Sequence, residues 1–334
     1  MIRQVPILFL VLLAHSSIAQ QVLHFTRTSG FDHGTREVSF EMFTSIGDEI
    51  GLQVTDDSTG DAFSSLDDLS QFDVIVFANT SGNAILTATQ RANFEQWVAQ
   101  GGHVMGIHAA TDTYRHSSAN GNDTGAWDFY AELIGGSVQV DPHHVSGTPL
   151  YAMSHVLAHP SVINLPDPWQ KEEEYYYWEN GYLGSMITPV LEVEETIGPN
   201  GQVNSYDAPR PVSWYRVTDI GRVFYTALGH AASSYTSDTL FRTHIRDALL
   251  WLMEGPASID DHYLPRLRIV TDPSHHRIHL LVPCIPDHVE ILDLQGRSLH
   301  RTEVRTHEIV MDLPDPHGIY FVRSQNCGSL KFIR

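Results

Sequence analysis

Cysteine is almost absent from this chain of 334 residues, which contains only Cys284 and Cys327. No cysteine occurs between Gln20 and Pro283. The thiolate is the reactive form of cysteine in catalysis and in zinc binding, so this long segment contains neither a cysteine nucleophile nor a zinc–thiolate site. A disulfide between the two cysteines near the end stays open, because the sequence does not show that they meet.

Basic residues are also scarce. Lys and Arg number 20 against 40 Asp and Glu, which gives a formal net charge of -20 at neutral pH. Nucleic acids and anionic membrane surfaces are bound by clustered Lys and Arg side chains. The composition therefore predicts no nucleic-acid partner, and we interpret the acidity as a contribution to solubility.

Long apolar runs are missing after the first residues of the chain. The run Pro6–Leu13 is too short to span a bilayer as a helix, and Ser17–Ala19 places small residues at the spacing of a signal-peptide cleavage site. We therefore expect residues 1–19 to be a signal peptide and the mature protein to begin near Gln20 or Gln21, with no membrane span. An uncleaved anchor is the less favoured alternative, because no long hydrophobic segment follows.

Strand-like and helix-like patterns alternate between residues 20 and 256. Phe72–Asn79 is a continuous β-branched and aromatic run, typical of a parallel strand that is buried on both faces. Thr87–Gln90 forms a capping box at the start of a helical pattern, which ends at Gly101-Gly102. This alternation predicts an α/β domain with a parallel sheet, right-handed crossovers and helices on both faces. Nucleotide binding has no support, because no glycine-rich phosphate motif follows any of the strands.

The pattern changes after Pro256. Short alternating segments with regular spacing follow, which predicts a small all-β sandwich over residues 267–334. Residues 257–266 form a linker in this interpretation.

The stretch Gly101–Asp112 is predicted to form a turn like the nucleophile elbow of α/β enzymes. It contains a short buried strand followed by a sharp turn at His108. Ligands of α/β proteins bind beyond the carboxyl ends of the strands, and a nucleophile elbow presents its side chain there. His108 occupies the elbow position, and its imidazole can transfer protons or bind a metal ion. The competing interpretation is a histidine that is hydrogen-bonded within a turn.

Two other histidines have the same type of position. His33 lies in the loop after the first strand, and His230 follows the strand Arg222–Thr226. Three ligands from His33, His108, His230 and a glutamate could hold Zn²⁺ or another divalent ion with one open position. No H-x-x-x-H or H-E-x-x-H spacing is present. The hypothesis of a metal site therefore rests on these residues meeting in the folded chain, and not on a sequence motif.

Glu173 and Glu174 precede an aromatic run. Since side chains alternate along a strand, at most one of these carboxylates is expected to face the crevice. Surrounding aromatic rings would raise the pKa of that carboxyl, which suits general acid or base catalysis. Tyr176 and Trp178 could stack on sugar faces, or they could belong to the core. The expected substrate contacts are His33, Asp112, Tyr176, Trp178 and Trp214.

Several stretches together resemble the ThuA-like (trehalose utilisation) family, which has the flavodoxin-like fold of class I glutamine amidotransferases. The resemblance implies carbohydrate catabolism, with trehalose-like or keto sugars as substrates. It does not imply glutaminase activity, because the amidotransferases carry a cysteine where this chain has His108. The matching stretches are Gly30–His33, Phe77–Gly82, Gly101–Asp112, His159-Pro160, Glu173–Tyr176, Pro211–Trp214 and Gly221–His230.

The end of the chain resembles a type IX secretion (Por system) C-terminal sorting domain. The residues that carry this resemblance are Val289–Arg297, Gly318–Val322 and Lys331–Arg334. It implies the type IX secretion machinery as a partner, removal of the tail on export, and a secreted or surface-attached product.

Two functions are compatible with these observations. The first is an exported sugar-processing hydrolase or lyase, in which His108, Glu174 or Glu173, and His230 act as acid and base, with or without a divalent metal. The second is a secreted sugar-binding module without catalysis. Calorimetry against disaccharides, combined with a turnover assay, would separate them.

Overall fold

A computed structural model describes the chain in two compact units, which divide between Pro256 and Ala257. The signal peptide predicted over residues 1–19, the linker predicted over 257–266 and both cysteines lie outside the described residues. No helix in the described part is long and apolar enough to cross a membrane. The described residues are 20–117, 127–179, 187–193, 210–218, 221–253, 268–272, 277–281, 287–292, 297–305, 308–312, 319–324 and 328–333.

The first unit is built on a nine-stranded sheet with the order β2-β1-β3-β4-β9-β8-β7-β5-β6. Its strands are β1 (Gln21–Phe25), β2 (Gln53–Asp57), β3 (Val74–Ala78), β4 (His103–Ile107), β5 (Leu150–His155), β6 (Trp169–Glu172), β7 (Thr188–Val193), β8 (Arg210–Val217) and β9 (Arg222–Thr226).

Strands β2, β1, β3, β4 and β9 are parallel, so their carboxyl ends lie along one edge, which we call the carboxyl edge. The other half of the sheet is antiparallel. The predicted α/β layering is confirmed, but the sheet is mixed and not wholly parallel. Strands β8 and β9 run antiparallel because the connection from Val217 to Arg222 is too short for the crossover that parallel neighbours require.

Seven helices accompany this sheet in the described residues, and they lie on both of its faces. They are α1 (Arg36–Ile50), α2 (Leu66–Leu69), α3 (Ala88–Ala99), α4 (Asp128–Ile134), α5 (Pro160–Ile163), α6 (Ala232–Thr236) and α7 (Thr239–Met253).

Neighbouring residues of β1 show how the helices are divided. His24 contacts Phe43 of α1, with ring centroids 5.3 Å apart. Phe25 contacts Phe77 of β3, which in turn lies 5.4 Å from Phe94 of α3. Successive side chains of a strand point to opposite faces, so α1 covers one face and α3 the other.

Local signals in the sequence account for the ends of these helices. The predicted capping box of α3 is present, with Thr87 accepting from the Gln90 backbone and the Gln90 side chain accepting from the Thr87 backbone. Helix α1 ends at Gly51, whose φ of 79° is in the left-handed region that glycine adopts without strain.

The described residues of the second unit form only β-structure, as predicted. It contains a three-stranded sheet with the order β10-β11-β14 and a four-stranded sheet with the order β13-β12-β15-β16, and every pairing is antiparallel. Val289, Ile291 and Val322 are fully buried in the second of these sheets. The strands are β10 (Arg268–Asp272), β11 (Arg277–Leu281), β12 (Asp287–Leu292), β13 (Ser298–Val304), β14 (Glu308–Asp312), β15 (Ile319–Ser324) and β16 (Gly328–Ile333).

Candidate functional site

Four side chains converge at the carboxyl edge of the sheet. His33, His108 and His230 follow the parallel strands β1, β4 and β9, and Glu174 follows β6. One ligand atom from each of the four lies within 4.8 Å of the others. We call these four residues the His/Glu cluster. Parallel strands bring their carboxyl ends together, which explains how residues so distant in sequence meet.

The backbone at His108 holds its side chain in the cluster. Its φ is 47°, an uncommon value for a residue with a side chain, and it begins a short 3₁₀ helix, His108–Asp112. The imidazole Nδ1 lies 2.6 Å from the Ala227 carbonyl oxygen, to which it donates a hydrogen bond. In the neutral imidazole this bond selects the tautomer with the proton on Nδ1, and it turns Nε2 toward the cluster.

Asn79 ties the loops of the carboxyl edge together, and the sequence interpretation missed it. Its side-chain amide donates to the Gly229 carbonyl oxygen at 3.0 Å and to Thr35 Oγ1 at 2.7 Å. Its φ is 54°, and asparagine tolerates this left-handed conformation better than most residues. The signal available in the sequence was that Asn79 is a polar residue directly after the most hydrophobic strand.

The segment that carries Glu174 reaches the cluster as part of an irregular ribbon. Tyr176 forms an antiparallel bridge with His144, and Trp178 forms another with Val138. The Tyr176 ring stacks on the His108 ring with centroids 4.6 Å apart, and the Tyr176 hydroxyl donates to His108 Nε2 at 3.0 Å. Tyr176 is therefore the aromatic residue of this run that contacts the cluster.

The Glu174 carboxylate is surrounded by imidazoles. Its Oε2 lies 3.2 Å from His108 Nε2 and 3.4 Å from His230 Nδ1, and its Oε1 lies 3.1 Å from His144 Nε2. Burial alone raises the pKa of Glu174, but the interactions with His108 and His230 outweigh it and take this pKa well below its usual range. The predicted rise in the pKa of this carboxyl is therefore wrong, because its nearest neighbours are imidazoles and not only aromatic rings. A carboxylate that stays ionised is a weak base and a good metal ligand.

His144 is a further residue that the sequence did not assign. Its Nδ1 lies 2.8 Å from the Val145 carbonyl oxygen, and its side chain is partly exposed. In the sequence it lies in an irregular segment, and no pattern there shows that the segment reaches the cluster.

Not every imidazole nitrogen of the cluster has a hydrogen-bond partner. His33 Nδ1 is buried and has no hydrogen-bond partner among the described residues, and the buried His230 Nδ1 has only the Glu174 carboxylate near it, at 3.4 Å. Burial and the neighbouring His108 lower the pKa of His33 to about 3, so this imidazole is neutral at physiological pH. Buried polar atoms normally have partners, and a place for an ion is one explanation for an exception. Neutral imidazole nitrogens and a carboxylate oxygen are ligands that zinc binds, so the residues fit a divalent metal ion.

Glu173 lies outside the cluster, although it was a predicted catalytic residue. Its Oε2 accepts from the Gly229 amide at 2.8 Å, and its Oε1 accepts from the His230 amide at 3.1 Å. The side chain is buried, and Lys171 Nζ is 3.6 Å from it. As the alternation of side chains predicted, only one of the two glutamates faces the site, and Glu173 instead holds the loop that presents His230.

The other predicted substrate contacts differ in accessibility. Trp178 and Trp214 are buried core residues whose indole N–H groups donate to the Pro211 and Ile134 carbonyl oxygens. The predicted substrate contact of these two rings therefore stays a prediction. Asp112 ends the 3₁₀ helix that begins at His108, with its Oδ1 3.2 Å from Arg115 Nε, and burial raises its pKa.

Known structures share this fold at low sequence identity. A protein of Bacteroides uniformis described as ThuA-like is 19% identical, with a TM-score of 0.56 over 73% of this chain and 96% of that chain. A second protein described as ThuA-like, from Parabacteroides merdae, is 18% identical, with a TM-score of 0.52 over 71% and 91%. A glutamine amidotransferase of Thermotoga maritima aligns at 10% identity, with a TM-score of 0.43 over 72% and 100%. No curated protein matches the chain.

The sequence itself gives the family. A family model described as ThuA, trehalose utilisation, matches residues 21–252, which is well over half of the chain. These residues include all four members of the His/Glu cluster. The chain therefore belongs to the ThuA (trehalose utilisation) family.

Proposed function

We propose that the His/Glu cluster binds a divalent metal ion, best matched by zinc, and that the protein acts on a sugar through metal-assisted acid–base chemistry. The observation that carries this proposal is the convergence of His33, His108, Glu174 and His230 within 4.8 Å. The buried His33 Nδ1, which has no hydrogen-bond partner among the described residues, supports it. A bound ion of this kind polarises a substrate oxygen as a Lewis acid.

The surrounding residues prepare the cluster for this role. The Ala227 carbonyl oxygen orients the His108 imidazole so that its Nε2 faces the cluster, and Glu173 fixes the backbone of His230. Burial raises the pKa of Tyr176 well above its usual value, so its hydroxyl stays protonated. The phenol can donate a hydrogen bond to an oxygen on which negative charge develops.

The family supplies the substrate class in this proposal. Its description as trehalose utilisation supports trehalose-like or keto sugars. Asp112 is a carboxyl near the turn of His108 whose pKa is raised, which suits proton transfer at neutral pH better than the strongly ionised Glu174.

A turnover assay with and without metal tests the proposal. The protein loaded with zinc and the protein treated with a chelator would be incubated with trehalose, other disaccharides and their keto derivatives. We expect product only with metal, and none with the His108→Ala variant. Turnover that survives both chelation and His108→Ala would overturn the proposal. Metal-dependent sugar binding without turnover would favour the sugar-binding module instead.

We also propose that the protein is exported through the type IX secretion machinery. Support comes from the signal-like residues 1–19, from the resemblance of the tail to a sorting domain, and from the all-β second unit. Deleting residues 267–334 should retain the protein inside the cell envelope. Undiminished release of the truncated protein into the medium would contradict this proposal.

A further inference from the structure

Phe31 is an aromatic side chain held in solvent beside the His/Glu cluster. It is 64% exposed, and the other large apolar side chains exposed in the described part of the chain are all aliphatic. Leaving so much of a phenylalanine ring in water forgoes the free energy of its burial. A single exposed apolar residue is ordinary on a protein surface, so the exposure of Phe31 matters only because of where the ring lies.

The loop of Phe31 is anchored to the neighbouring loop by its backbone. The Phe31 carbonyl oxygen accepts from Ser81 Oγ at 2.6 Å, and the Ser29 and Gly30 amides both donate to the Ser81 carbonyl oxygen, at 2.8 and 3.2 Å. The approach is close because Gly82 has a φ of 84°, and a Cβ there would lie 2.5 Å from the Gly30 nitrogen. The exposed ring is thus carried by an anchored loop.

The ring stands next to a candidate metal ligand. Phe31 and His33 are in T-shaped contact with centroids 4.8 Å apart, and His33 is 4.7 Å from His108. The negative face of an aromatic ring attracts the positively polarised C–H groups on the face of a sugar ring. Ligand sites commonly combine such an aromatic wall with a few polar groups or a metal that fix orientation.

We propose that Phe31 is the stacking platform for a sugar ring whose oxygen atoms reach the His/Glu cluster. This inference rests on the proposed function. It deepens that function, because stacking on Phe31 favours cyclic sugars over open-chain polyols of similar hydroxyl content. Phe31 then determines specificity, while the cluster provides the chemistry.

Calorimetry on the zinc-loaded full chain tests this role. Trehalose, glucose and the open-chain polyol sorbitol would be titrated into the wild type and into the variants Phe31→Ala, Phe31→Trp and Ile163→Ala. Ile163 is the matched control, since it is a similarly exposed apolar residue on α5. We expect Phe31→Ala to weaken trehalose binding by about tenfold, Phe31→Trp to retain it, and Ile163→Ala to leave it unchanged.

Competition with a zinc chelator separates this inference from the metal proposal. Zinc affinity should stay within about twofold of wild type in Phe31→Ala, as expected for a residue that is not a ligand. Equal loss of zinc and sugar affinity would show that Phe31 only positions His33, and it would overturn the platform. Unchanged trehalose binding in Phe31→Ala, or no binding of any cyclic sugar by zinc-loaded wild type, would also overturn it. A wild type that holds no zinc would instead reject the metal proposal.

Discussion

Two groups of imidazoles and carboxylates lie on the sheet of the first unit, and they differ in how their nitrogen atoms are satisfied. In the first group, His24 Nδ1 donates to Asp56 Oδ1 at 3.0 Å, and His24 Nε2 accepts from Ser39 Oγ at 2.9 Å. Arg36 pairs with the other oxygen of Asp56. In the His/Glu cluster, by contrast, His33 Nδ1 is buried without a hydrogen-bond partner among the described residues, and His230 Nδ1 has only the Glu174 carboxylate, 3.4 Å away.

The difference shows that the geometry of hydrogen bonds alone does not identify a catalytic site. Ser39, His24 and Asp56 repeat the order of contacts in a serine-protease triad. Both ring nitrogens of His24 are already hydrogen-bonded, to Asp56 and to Ser39. A complete set of partners indicates a structural role, whereas unpartnered ligand atoms at the end of parallel strands indicate a binding site.

The largest effect that separates the two groups should be on metal binding. His108→Ala removes a ligand, so we expect zinc affinity to fall roughly 100-fold or more, beyond the 10- to 100-fold typical of outer-shell changes. His24→Ala should lower the free energy of unfolding but leave zinc affinity unchanged. Competition with a chelator and thermal unfolding measure the two quantities. Equal zinc affinity in the two variants would contradict the distinction.

A smaller effect should separate the two adjacent glutamates. Glu174→Gln replaces a proposed ligand with a neutral amide and should weaken zinc binding by roughly 10- to 100-fold. Glu173→Gln leaves at least one of the Gly229, His230 and Glu174 amides without an acceptor and should lower the free energy of unfolding by about 1–3 kcal/mol. The same two measurements apply. A greater loss of zinc affinity in Glu173→Gln than in Glu174→Gln would reverse our assignment.

The smallest effect concerns pH. Burial holds the pKa of His24 below 6.5, and the hydrogen bond from His24 holds the pKa of Asp56 below 3.8. Both pKa values are lower in the folded state, so the unfolded chain binds more protons and acid destabilises the fold. The His24 contribution is present above about pH 6.5 and is lost as the pH falls below it. Urea unfolding between pH 8 and pH 5 should show a steeper loss of stability in the wild type than in His24→Gln. An equal slope in the two proteins would exclude His24 as its source.

The sequence predicted the parts of the site that depend on strand direction. Parallel strands share an edge, so His33, His108 and His230 could be placed together without a structure. The capping box at Thr87 and the stop at Gly51 are local signals, and both are present in the fold.

The parts that sequence did not predict depend on contacts across the fold. Alternation showed that one of Glu173 and Glu174 faces the site, but not which one. The pKa of Glu174 depends on imidazoles from three other segments. Trp214 is an aromatic residue of the kind that contacts sugars, but in the fold its ring is buried and its indole N–H donates to the Ile134 carbonyl oxygen.

X-ray absorption at the zinc edge would show whether the His/Glu cluster binds zinc. The wild type would be loaded with zinc, dialysed against buffer and measured as the full chain. The proposed site predicts one ion per chain, nitrogen and oxygen ligands at about 2.0–2.1 Å, and scattering from about three imidazoles. Loss of the ion on dialysis from a folded protein, or a bound ion without imidazole scattering, would contradict the account.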